Sequence, residues 1–182
     1  MKNNGRRIHL RKIQTVKHSK DPRRHVFRYD KHMPHTDDVS LVVLKGHLLV
    51  EEMLNELARR VLPNARYLDD ARLSFHQLSR VVRSAVRAKS KDSCWDLISA
   101  LNSLRNDLVH NLEPPKLKRR LQALFDIAAI AQPIRPDLID KSEDHRLDQS
   151  ERVRQAVVDC MQFLRTLIFA AEAVKSRKAA RS

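Results

Sequence analysis

Apolar residues recur at helical rather than strand spacing through most of the chain. After Thr36-Asp37-Asp38, a cap-like cluster whose acids suit a helix N-terminus, they fall at Val39, Val42, Val43, Leu49, Val50, Met53, Leu54, Leu57 and Val61. This spacing predicts a long first helix ending near Leu62-Pro63-Asn64. A second is expected from Asp69-Asp70, with Leu73, Leu78, Val81, Val82, Ala85 and Val86 on one broad face and Arg72, Arg80, Arg83 and Arg87 interleaved. A third follows the cap-like Asp92-Ser93, carries Trp95, Ile98, Leu101, Leu104 and Leu108 as its stripe, and is stopped by Pro114-Pro115 soon after His110. A fourth, over residues 116–131, is short and amphipathic. A fifth, over residues 147–173, presents Val153, Ala156, Val157, Cys160, Met161, Leu164, Leu167 and Ile168. Between those two, residues 132–146 are polar and proline-bearing and read as a long loop. The only glycines are Gly5 and Gly46, and Asn-Gly or Asp-Gly hairpin turns are absent. The expected fold class is therefore all-α: an up-and-down bundle of about five helices with a basic N-terminal extension.

Charge divides this picture into parts. The 182 residues are 42% hydrophobic with one tryptophan, enough for one domain with a modest core, and carry a formal charge of +14. Residues 1–35 contribute +9 and residues 175–182 contribute +4, so the stretch between them is close to neutral. The expected organisation is a basic, histidine-rich arm (1–35), a helical bundle (36–174) and a basic tail (175–182). Such ends either recruit polyanions by releasing phosphate counterions or merely solubilise the chain. The arm's His9, His18, His25, His32 and His35 match no compact ligand spacing, so neither a metal site nor a cofactor is expected. Cys94 and Cys160 lie far apart without a Cys-x-x-Cys partner and read as two free, buried thiols. No apolar stretch follows the charged start, and no run of about 18 apolar residues occurs, so a cytoplasmic protein without a membrane segment is expected.

One string on the third helix carries candidate chemistry: Ser103-Leu104-Arg105-Asn106-Asp107-Leu108-Val109-His110-Asn111-Leu112. With 23 Arg and 9 His in the chain, roughly one Arg-x4-His pair arises by chance, so its weight comes from lying at a helix end before a proline stop. Together with the upstream Leu44-Lys45-Gly46-His47-Leu48-Leu49-Val50-Glu51-Glu52-Met53-Leu54, the string resembles the HEPN superfamily, in particular its mannitol operon repressor-like branch. The resemblance covers roughly residues 37–130. It implies a dimeric helical bundle whose arginine, following polar residue and histidine line a cleft between subunits, often as a metal-independent endoribonuclease of a toxin or phage-defence system. By position it implies Arg105, Asn106 and His110 as catalytic residues, with Arg105 and Asp107 toward substrate. RNA, a second copy of the chain and an antitoxin or regulatory protein are the implied partners. Leu112 stands where one toxin subgroup carries a tyrosine, so control by modification of that tyrosine is not implied. Repressor-like members share the string without established nuclease chemistry. A non-catalytic regulator that binds a protein or nucleic acid is thus the alternative.

Helix geometry favours a site shared between chains. Positions 105 and 110 lie roughly 140° apart around one helix and do not converge, whereas Asn106 and His110 are an i, i+4 pair. In that reading the Asn106 amide holds the imidazole, and a two-fold axis brings two histidines and two arginines together. A purely structural reading instead pairs Arg105 with Asp107 or Glu113 and leaves His110 capping a helix C-terminus. His47 and His76 lie within helical stripes and read as packed or surface histidines. Cys94 lacks a nucleophile signature, and Glu51-Glu52 reads as a solvated helix edge.

Overall fold

The helices begin and end where local chemistry allows it. A computed structural model describes residues 24–86, 92–131 and 148–179. Helix α2, Val39–Val61, starts at Asp38, whose carboxylate accepts from the backbone N–H groups of Ser40 at 2.9 Å and Leu41 at 3.1 Å. Two orphan donors are thereby satisfied. Helix α5, Asp92–His110, helix α6, Leu117–Ala131, and helix α7, Gln149–Ala179, complete the long elements. Every regular element among the described residues is helical, so the fold is an all-α bundle. No described helix is long and apolar enough to cross a membrane.

Three segments differ from the sequence expectation. The second helix is broken: a 3₁₀ turn, Ala65–Tyr67, leads into the short α3, Leu68–Ala71, which ends at Arg72 with a left-handed φ of 44°. A fresh helix α4, Phe75–Ala85, then starts on a capping box. In it the Ser74 hydroxyl accepts from the Gln77 N–H at 3.3 Å and the Gln77 side chain accepts from the Ser74 N–H at 2.9 Å. Part of the expected N-terminal arm is also folded. Helix α1, Arg24–His32, is held to α2 by Arg28–Glu52 at 2.7 Å and His25–Glu56 at 3.6 Å. Met33 is buried, and Arg154 of α7 donates to the carbonyls of Pro34 at 3.2 Å and of Thr36. Finally, α7 runs through the first residues of the expected tail, leaving Lys175 and Arg177 exposed near its C-terminus, where cations suit the helix dipole. The earlier part of the arm, residues 1–23, and the expected loop over 132–146 lie outside the described residues.

Pairwise contacts define the helix directions. The Cys94 thiol meets the Ala131 carbonyl at 3.2 Å and Arg120 pairs with Asp107 at 2.9 Å, so α5 and α6 run antiparallel. Gly46 packs against Val157 and Arg60 pairs with Glu172 at 2.9 Å, so α2 and α7 run parallel. The Arg152 guanidinium lies 3.9 Å from the Phe125 ring centre, and Trp95 meets Phe163 edge to face at 5.2 Å. These two contacts give α7 the direction of α6, which a short turn cannot connect. Leu54, Leu57, Ile98, Leu101, Leu104, Leu124, Leu164 and Ile168 fill the space between the four long helices.

Gly46 permits the close approach of α2 and α7. A Cβ at this position would lie 2.4 Å from Cγ2 of Val157, and valine's branched side chain has no flexible end to swing aside. Gly46→Ala should therefore destabilise the fold by about 1–3 kcal/mol in chemical denaturation, despite alanine's better helix propensity. Adding Val157→Ala, which clears the space, should make the double variant less damaging than the sum of the two single changes.

Asp159 on α7 is buried with one side-chain hydrogen bond, from Gln155 at 3.0 Å. Burial pushes its carboxyl up to about 6, against the smaller opposing effect of that bond. Because the folded form holds the proton more tightly than the unfolded one, this group's contribution is complete below pH 4 and is lost as pH rises through about 6. Asp159→Asn should raise the melting temperature by several degrees at pH 8 and by much less near pH 4. Equal shifts at both pH values would refute this assignment.

A candidate active site at the end of helix α5

Helix α5 carries the Arg105–His110 string out of the core in its last two turns. Leu104 is fully buried, residues 105–108 are half-buried, and Val109 and His110 are exposed. The helix end is finished by Asn111, whose Nδ2 donates to the Asp107 carbonyl at 3.0 Å. Pro114-Pro115 then prevents continuation.

The site residues divide into two groups. Arg105 Nη1 donates to Asn106 Oδ1 at 3.1 Å, so the arginine is braced by its own neighbour in sequence. Asp107 turns to the other flank and accepts from Arg120 Nε of α6 at 2.9 Å. Arg105 therefore pairs with neither Asp107 nor Glu113. The expected Asn106–His110 hydrogen bond is not formed; the amide oxygen of Asn106 accepts from Arg105 instead. Among the described residues nothing hydrogen-bonds the His110 ring, which is exposed to solvent. Arg105 and His110 do not contact each other within the chain.

Beside Arg105 lies a buried polar group of a different kind. His47 of α2 is only 3% exposed and its Nε2 meets Asn102 Oδ1 on α5 at 3.1 Å. Since an amide oxygen only accepts, Nε2 carries the proton. The other ring nitrogen lies 3.8 Å from Glu51, and the ring packs against Phe75 of α4 with centres 4.3 Å apart. Burial, the largest influence, lowers the His47 pKa below 6.5; Asn102 and Glu51 oppose it, and the nearby Arg105 charge adds to it. His47 is thus the packed histidine its place in the stripe implied, and it joins α2, α4 and α5 beneath the motif. Asn102 was not singled out by sequence pattern; its signal is its position one turn before Asn106 on the same helix. Glu51 is half-buried rather than fully solvated, and His76 is exposed on α4.

Cys94 and Cys160 are buried and form no disulfide with each other, and burial raises the Cys160 thiol well above its ordinary value. Neither is placed as a nucleophile. Among the described residues no group of three or more His, Cys, Asp and Glu side chains gathers as metal ligands would. The arrangement offers a solvent-facing imidazole, a braced guanidinium with further N–H groups, and a rigid polar support behind them.

Removing the acceptor for His47 would leave its N–H buried and unpaired, so Asn102→Ala should cost about 1–3 kcal/mol of stability at pH 7.5. A neutral, buried histidine contributes stability that is present above its unfolded pKa of 6.5 and is lost as pH falls below it. Unfolding free energy should therefore decline from pH 6.5 toward 5, less steeply in His47→Gln than in the parent; identical slopes would contradict the buried neutral state.

Comparison with family models, curated proteins and solved structures finds no match to this chain.

Proposed function

We propose that this chain is a metal-independent endoribonuclease of HEPN type, acting as a homodimer in the cytoplasm in a toxin or phage-defence role. The observation that carries the reading is the placement of His110, exposed at the end of α5 and without a hydrogen-bond partner among the described residues, on the same rigid helix as the Asn106-braced Arg105. RNA suits these groups because its 2′-hydroxyl supplies the nucleophile. One His110 takes the 2′-OH proton as the oxygen attacks the adjacent phosphorus. The P–O5′ bond breaks and the second histidine of the dimer gives its proton to the leaving oxygen, leaving a 2′,3′-cyclic phosphate and a 5′-hydroxyl. Arg105 stabilises the added charge of the pentacoordinate phosphorane, and Asn106 orients it. A partner chain supplies the second histidine and arginine that one helix cannot bring together. Exposed Val109 and Leu112, on either side of His110, offer apolar surface for that partner.

The engagement of Asp107 with Arg120 favours a second reading at one point. A carboxylate already paired within the chain has little left to offer a substrate, as in a non-catalytic regulator that binds an antitoxin-like protein or nucleic acid. Purified protein incubated with RNA in excess EDTA separates the two. Cleavage should leave cyclic phosphate ends, and His110→Ala or Arg105→Ala should slow it by roughly 10² or more. Intact RNA, or equal cleavage by His110→Ala, would overturn the enzymatic reading.

A further inference from the structure

We infer that the tip joining α5 to α6 is a binding surface for the phosphate backbone of single-stranded RNA, with Lys116, Lys118 and Arg119 holding phosphates that flank the cleaved one. The inference rests on the reading of RNA as substrate and adds a place for it that lies outside the two basic ends of the chain.

Lys116, Lys118, Arg119 and Arg120 crowd the start of α6, all of them exposed, and the first turn contains no acid. Lys116 takes the cap position, since its carbonyl accepts from the Arg120 N–H at 2.9 Å. Folding alone disfavours such a cluster: the helix dipole is positive at this end, and neighbouring cations repel one another. Only Arg120 is neutralised, by Asp107 at 2.9 Å; among the described residues no acid pairs with Lys116, Lys118 or Arg119. That one ion pair has a second effect. It ties the cationic turn to the middle of the Arg105–His110 string, so the free charges stand at a set distance from the candidate site. Three exposed cations with no acid partner among the described residues, beside a site suited to phosphodiester chemistry, match a polyanion with regularly spaced charges.

The test uses the full chain and a 2′-O-methyl RNA oligonucleotide, which binds but has no 2′-hydroxyl to attack, so binding is read apart from cleavage. Fluorescence anisotropy is followed across a salt series for the parent, for Lys116→Glu/Lys118→Glu/Arg119→Glu, and for the control Lys175→Glu/Arg177→Glu. The tip variant should lose at least about tenfold in affinity, and its dependence of log K on log salt should be shallower by about 2, as expected for three single-strand phosphates. The control should keep more of both. Acids at the start of α6 favour the helix, so the tip variant's melting temperature should be unchanged or higher, which separates lost binding from unfolding. A parent that does not bind the oligonucleotide, or a tip variant with parental affinity and salt slope, overturns the inference. Tip-dependent binding by a protein that leaves ordinary RNA uncut upholds it and removes only the cleavage reading.

Discussion

The close approach of α2 and α7 at Gly46 and Val157 is the constraint on which the other contacts depend. It is the most extensive seam of the bundle, and only a residue without a Cβ lets the two backbones come this near. With Gly46 turned to α7, the next residue is rotated about 100° away, which brings His47 to α4 and α5. The same parallel alignment carries Arg60 to Glu172, where it also holds the buried Glu56 at 2.7 Å. Arg154 reaches the carbonyls before α2 by the same means and secures the chain between α1 and α2.

Chemistry-bearing groups are distributed by depth along α5. Its first turns are anchored by Trp95 and Ile98, its middle by the Asn102–His47 bond, and only its end reaches solvent with His110. A side chain on a rigid helix end is positioned without the entropy cost of ordering a loop. The Asp107–Arg120 pair and the Asn111 cap restrain the same end from fraying. The candidate site residues and the groups that support them thus sit in successive turns of one element.

Much of the bundle was legible because its signals are local. Asp38 before α2, Asp92 at the start of α5 and the proline stops after each are readable without tertiary knowledge. The break at Arg72 was missed although Ser74 and Gln77 spell a capping box, because Leu73 continues the apolar spacing across it. Helix α1 is mostly polar, and it is held by the Arg28–Glu52 ion pair and the His25–Glu56 contact with another helix, which periodicity cannot register. At the site, the positions of Arg105 and His110 on one helix followed from spacing, whereas the partners did not. Asn106 bonds its neighbour instead of the residue one turn on, and Asn102 acquires its role only from the register of α5 against α2.

The seam at Gly46 also has a history along the chain. Its two halves lie 111 positions apart, so on a ribosome adding about 5–20 residues per second α2 waits on the order of 5–20 s for α7. Throughout that interval Val42, Val43, Leu49 and Val50 lack part of their eventual cover, and long-range closure is the slow part of folding. This architecture makes the finished bundle a product of the whole chain rather than of its first two thirds.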